Sequence, residues 1–127
     1  MFDLKKILNG RMNVPEPEVH IAGADITPGM ALPLSAGKYV KCSGTTKPTH
    51  VAMGVASSGK KLAAAPVDSA QLYEVEIMAA PTSLTEGDKI TINTDGLTVT
   101  ATKTDGVATI VSLNGATAAG DKITVRF

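Results

Sequence analysis

The segment "GVASSGKK" (Gly54–Lys61) carries the glycine and lysine spacing of a phosphate-binding loop. In such a loop backbone amides cradle phosphate, a lysine reaches the outer phosphates and a following Ser or Thr holds magnesium. Here Lys61 stands where the Ser or Thr should be, and Pro66 stops any helix within a turn or two. The helix N-terminus that would bind the anion is therefore missing, and the segment reads as a Ser-Gly loop with two exposed lysines. His20 and His50 are the only histidines. Glu18 and His20 alternate and could share a strand face, but two histidines among scattered carboxylates make no metal signature, so both read as surface residues. Cys42, the one cysteine, allows neither an internal disulfide nor a cysteine-based zinc site and reads as a small buried apolar residue. Glu74 and Glu76 sit at strand spacing, as a solvated face would, and no G-x-S-x-G elbow is present. The expectation is no catalytic residue, no metal, no cofactor and no small-molecule substrate.

Composition supports that reading. Lys plus Arg and Asp plus Glu both total 12, so there is no basic excess to grip a phosphate backbone. Tyr39, Tyr73, Phe2 and Phe127 are the whole aromatic complement, too few and scattered for the stacking platform of a single-strand nucleic-acid binder. No apolar run approaches the ~18 residues of a membrane span. The start "MFDLKKILNG" lacks the long apolar stretch and cleavage pattern of a signal peptide. A 43% hydrophobic content supplied largely by Ala and Val predicts a thin core that partner chains complete.

Two kinds of element must position these residues. Residues 1–20 read as an arm. Leu4, Ile7 and Leu8 at i, i+3 and i+4 predict a short helix started by Asp3 and ended by Gly10, and Pro15 and Pro17 then impose an extended strip. A helix this short is marginal alone, so the arm is expected to order where it docks. Its candidate partner contacts are Phe2, Leu4, Ile7, Leu8, Met12 and Val14. Residues 21–127 read as a single β domain, because glycines recur with apolar residues three and five positions later. The expected core is Leu32, Leu34, Val40, Tyr73, Val75, Ile77, Ile90, Ile92, Val99, Val111, Leu113, Ile123 and Val125.

In the C-terminal third, Asp95-Gly96 predicts a hairpin that sets Ile92 opposite Val99 and Ile90 opposite Ala101. Thr104–Gly106 predicts a bulged turn with Gly106 left-handed, setting Val99 opposite Val111 and Leu97 opposite Leu113. The five letters "GDKIT" occur at Gly87–Thr91 and again at Gly120–Thr124. Turn chemistry followed by pleat accounts for both copies, with Lys outward and Ile inward. The expected class is all-β, a small antiparallel barrel or sandwich with a C-terminal meander and an extended N-terminal arm.

The order of arm, "ITPGMALPL" (Ile26–Leu34), "GKYVKCSGTTKPTHVAMGVASS" (Gly37–Ser58) and a closing "GDKITVRF" resembles the small β-rich head proteins of tailed bacteriophages, of the capsid decoration or cement type. The resemblance runs from about Ile26 to Phe127. It implies a non-enzymatic virion protein, assembled in the host cytoplasm, that binds the outer capsid surface against the major capsid protein and stabilises capsomer junctions. It also implies copies of itself as partners, as a homotrimer, and an arm that reaches onto the shell. Two other roles stay open: a tail or head–tail connector subunit, and a small carbohydrate- or peptide-binding module.

Overall fold

The glycine-punctuated alternation becomes two sheets in a computed structural model, which describes residues 1–7 and 16–127. In chain order the strands are β1 (Asp3–Ile7), β2 (Glu18–Ala22), β3 (Ala31–Leu32), β4 (Leu34–Ser35), β5 (Lys38–Tyr39) and β6 (His50–Ala52). They continue with β7 (Lys61–Pro66), β8 (Gln71–Glu76), β9 (Lys89–Ile90), β10 (Ala108–Ser112) and β11 (Lys122–Arg126). No described residue is helical, and the fold is all-β.

The first sheet is antiparallel in the order β1-β8-β11-β10-β9, so β9, β10 and β11 form the expected meander. The second runs β3-β6-β7-β2-β5-β4, antiparallel except for the parallel β2–β5 pair. Its outer strands β3 and β4 are separated in the chain by Pro33 alone, so the sheet curls into a nearly closed barrel. Proline suits that corner: it has no N–H to leave unpaired, and its carbonyl accepts from the Val40 amide at 3.1 Å.

One core packs the inner face of the first sheet. It holds Tyr73, Val75, Ile77, Ile90, Ile92, Val99, Ile123 and Val125, with Leu113 half-buried against it. The second fills the barrel with small side chains around Tyr39 and Leu32. Backbone bonds tie β3 and the loop before β6 to the 92–96 segment, from Ala31 N to Gly96 O at 2.8 Å and reciprocally between Gly44 and Ile92.

Several expectations need correction. The start of the arm is a strand, since Leu4 pairs with Tyr73 and Ile7 with Gln71. A lone short helix buries little, whereas the free edge of β8 offers ladder hydrogen bonds and a slot for Phe2. Phe2 is 3% exposed, its ring 5.2 Å from that of Phe127, so within the chain it packs in the core. Leu4 and Ile7 are half-buried, and Leu8, Met12 and Val14 lie outside the described residues, as does the Gly10 stop. The boundary after residue 20 falls inside β2, a central strand of the barrel.

Leu34 is exposed, because Pro33 switches the chain from one strand to the next and breaks the alternation begun at Leu32. Val40 is half-buried and Tyr39 takes the inward position, one residue out of the expected parity. Ile92 does oppose Val99, yet Ile90 pairs with Ala108. The segment after Gly106 joins β9 and β11 and leaves Val99 to Ile92 and Ile77, so Ile110 is buried and Val111 only half-buried. The left-handed residue of that turn is Asp105, with φ of 56°, and not Gly106.

Both "GDKIT" copies use one local device. Gly87 and Gly120 are left-handed, with φ of 92° and 90°. Asp88 accepts from the Thr85 amide at 2.9 Å, and Asp121 from the Ala118 amide at 2.9 Å, each three residues back. The reverse bonds run from Asp88 N to Thr85 O and from Asp121 N to Ala118 O. Lys89 and Lys122 point outward, Ile90 and Ile123 inward.

Candidate functional site

The loop "GVASSGKK" closes without phosphate-binding geometry. Ala56 bridges Ile26, Lys60 N bonds back to Ser57 O at 3.0 Å, and Lys61 opens a strand instead of a helix. Glu74 and Glu76 lie on the outer face of β8, where Glu74 meets Lys5 and Lys122 at 3.7 and 3.4 Å. Cys42 is fully buried, its thiol donating to Thr46 O, and burial pushes its pKa up to about 12. That thiol is no nucleophile near neutral pH.

The tertiary structure brings together a cluster the sequence reading did not find. Glu18 and His20 come from β2, Tyr39 from β5 and His50 from β6. His50 is buried, which corrects the surface reading, and its Nε2 lies 2.9 Å from Glu18 Oε2. His20 Nε2 lies 3.7 Å from the same oxygen. The Tyr39 hydroxyl donates to the Glu18 carbonyl at 2.9 Å, and its ring lies edge-on to both imidazoles, 5.1 and 5.0 Å between centroids. The hydrogen bond with His50 holds the Glu18 carboxyl below its ordinary value, while burial pushes the Tyr39 phenol up to about 12.

On its other nitrogen His50 meets Thr49 Oγ1 at 2.8 Å. Acid, imidazole and hydroxyl thus stand in line, the order of a nucleophilic relay. The hydroxyl, however, is already engaged: it accepts from Leu34 N at 3.0 Å and lies 3.3 Å from Leu32 O. A hydroxyl offers one proton and two lone pairs, and three neighbours, Leu34 N, Leu32 O and His50 Nδ1, already surround this one, so it is held as a structural group. The line works as a clamp, joining β2 and β5 through Glu18 to β6 and, through Thr49, to the β3–β4 corner. No three His, Cys, Asp or Glu side chains among the described residues are arranged to hold a metal. The available signal was His50 itself, which opens the run His-Val-Ala where every residue is buried.

All four aromatic rings are interior, Tyr39, Tyr73, Phe2 and Phe127 each being less than a tenth exposed. No ring is left to line a carbohydrate groove. The exposed large apolar side chains include Val19, Met53, Val55 and Met78.

This architecture has a solved counterpart. The chain is similar to the head fiber gp8.5 N base of bacteriophage phi29, with a TM-score of 0.60 and 18% sequence identity. The match covers 88% of this chain and 92% of that one. The chain therefore shares the fold of a small β-rich phage head protein. No family model matches the sequence, and no curated protein matches it.

Proposed function

We propose that this chain is a non-enzymatic structural protein of a tailed-phage virion. It binds the outer capsid surface against the major capsid protein and stabilises capsomer junctions. The observation that carries the reading is the shared fold with a phage head-fibre base over nearly the full length of both chains. The engaged Thr49 hydroxyl, the buried Cys42 thiol and the interior aromatics support it by removing the chemistry an enzyme or sugar-binding module would use. Phe2 is committed to the core, so the shell contact falls on apolar side chains left outside, such as Val55, 75% exposed, and Met53. Copies of the chain associate as a homotrimer, which repeats modest contacts by symmetry.

The test mixes purified protein with emptied, expanded capsids and images them. Added density at capsomer junctions is expected, and bare shells under saturating protein overturn the reading. Native mass in solution separates the alternatives, because a trimer fits decoration whereas rings of about six or twelve copies fit a connector.

A further inference from the structure

The molecule is neutral overall, with 12 cationic and 12 anionic side chains, yet its charges are not evenly paired. Lys5 and Lys122 meet Glu74, and Lys103 meets Asp88 at 2.8 Å. Lys47, Lys89 and Arg126 share one cleft and, like Lys6, Lys38, Lys41, Lys60 and Lys61, have no carboxylate within 4.0 Å among the described residues, the α-carboxylate of Phe127 included. Residues 8–15 contain no Asp or Glu that could supply one.

These three exposed cations line a single open cleft of about 490 Å³. The fold places two of them side by side. Thr109 on β10 pairs with Lys89 on β9 and with Arg126 on β11, so the three residues form one row across the meander. Strands ~4.8 Å apart put the Lys89 and Arg126 backbones ~10 Å from each other, with Thr109 between them. Lys47 closes the cleft from the loop before β6, and no Asp or Glu side chain lines it. Asp68 lies in an adjoining cleft, where its carboxylate accepts from the Ala70 amide at 2.7 Å.

We infer that the Lys47–Lys89–Arg126 cleft is a docking seat for an acidic segment of a partner protein. A guanidinium and an ammonium flanking a hydroxyl suit carboxylates, which Arg takes in a two-pronged bond. Nucleic acid fits less well. It calls for a basic stripe and a net positive charge, and the one ring at the cleft, Phe127, is 6% exposed and offers no stacking face.

The experiment titrates the full chain, labelled for amide NMR, with an oligoglutamate peptide, an oligolysine peptide and a single-stranded DNA oligonucleotide. Shifts from oligoglutamate centred on Lys89, Thr109 and Arg126 are expected. They should weaken as salt rises and lose at least about tenfold in affinity in the double variant K89E/R126E. A reversal at Lys122, on the same sheet but outside the cleft, should bind as the parent does. Thermal unfolding of each variant confirms that the fold persists, and the milder pair K89Q/R126Q replaces the reversal if it does not. No shifts with oligoglutamate, shifts away from the cleft, or tighter binding of DNA at the same residues each overturn the inference.

Discussion

Gly106→Ala separates two accounts of one turn. Had Gly106 been the left-handed residue, the cost of a side chain there would be backbone strain. In the structure Gly106 is not among the positive-φ residues, and Asp105 carries the positive φ. The obstacle is contact. A Cβ on Gly106 would lie closer than 3.0 Å to the Lys89 carbonyl and the Ile90 amide, which are backbone atoms of β9 and cannot rotate aside. Displacing them strains the bond from Val107 N to Ile90 O at 3.0 Å and shifts Ile90, which is fully buried. Overpacking costs about 1–3 kcal/mol where side chains can yield, and a lost hydrogen bond adds ~1 kcal/mol, so about 3 kcal/mol is expected here. At roughly 3–5 °C per kcal/mol for a domain of this size, the Tm should fall by about 10–15 °C. Gly120→Ala is the control. Its φ is 90° and a Cβ there meets nothing within 4 Å, so strain alone acts. That costs about 1–2 kcal/mol. Urea unfolding followed by circular dichroism measures both variants. A loss below ~0.5 kcal/mol at Gly106, or equal losses at the two sites, would refute the contact argument.

Phe2→Ala should cost about 3–5 kcal/mol in urea unfolding, because the ring packs on Phe127 inside the first core; unchanged stability would return Phe2 to the role of partner contact. Ile123→Asp should abolish the cooperative transition, whereas Lys122→Ala should stay within ~0.5 kcal/mol, so a large lysine effect would show that the repeat does more than shape a strand. The Cys42 thiol should resist a disulfide reagent at mildly alkaline pH in the native protein and react once urea unfolds it; fast native reaction contradicts its burial. Glu18 has a folded pKa lowered by its hydrogen bond with His50, so its contribution is complete above the ordinary glutamate value of ~4.3 and is lost as pH falls through the lowered folded value. Glu18→Gln should therefore flatten the acid side of the stability profile, and an unaltered acid slope would count against that contact.

The strands were legible wherever one face met a core and the other met water. Tyr73, Val75 and Ile77 alternate with Glu74 and Glu76, and the Ile92–Val99 pairing follows from the Asp95-Gly96 turn. Parity failed where the chain changed partners, at Pro33 for Leu34, at the short β5 for Val40, and beyond Gly106 for Val111. Leu4 and Ile7 carry a helix period in the sequence yet lie on a strand against β8, with a register shift between Leu4 and Lys6, because a free sheet edge is a tertiary fact. Most of the site was not legible. Glu18 and His50 are 32 residues apart and meet across three strands, as do Lys89, Thr109 and Arg126 across the meander.

By itself, then, the sequence determined an all-β chain, the turns that start its strands, and the lack of a local catalytic motif. Those properties depend on neighbours a few residues apart, where φ preferences and the pleat act directly. Tertiary structure decided which edge β1 joins, how the barrel closes at Pro33, and which polar and charged side chains meet. Such contacts depend on strand order and register, which are settled by the burial of both cores at once and are written in no single segment.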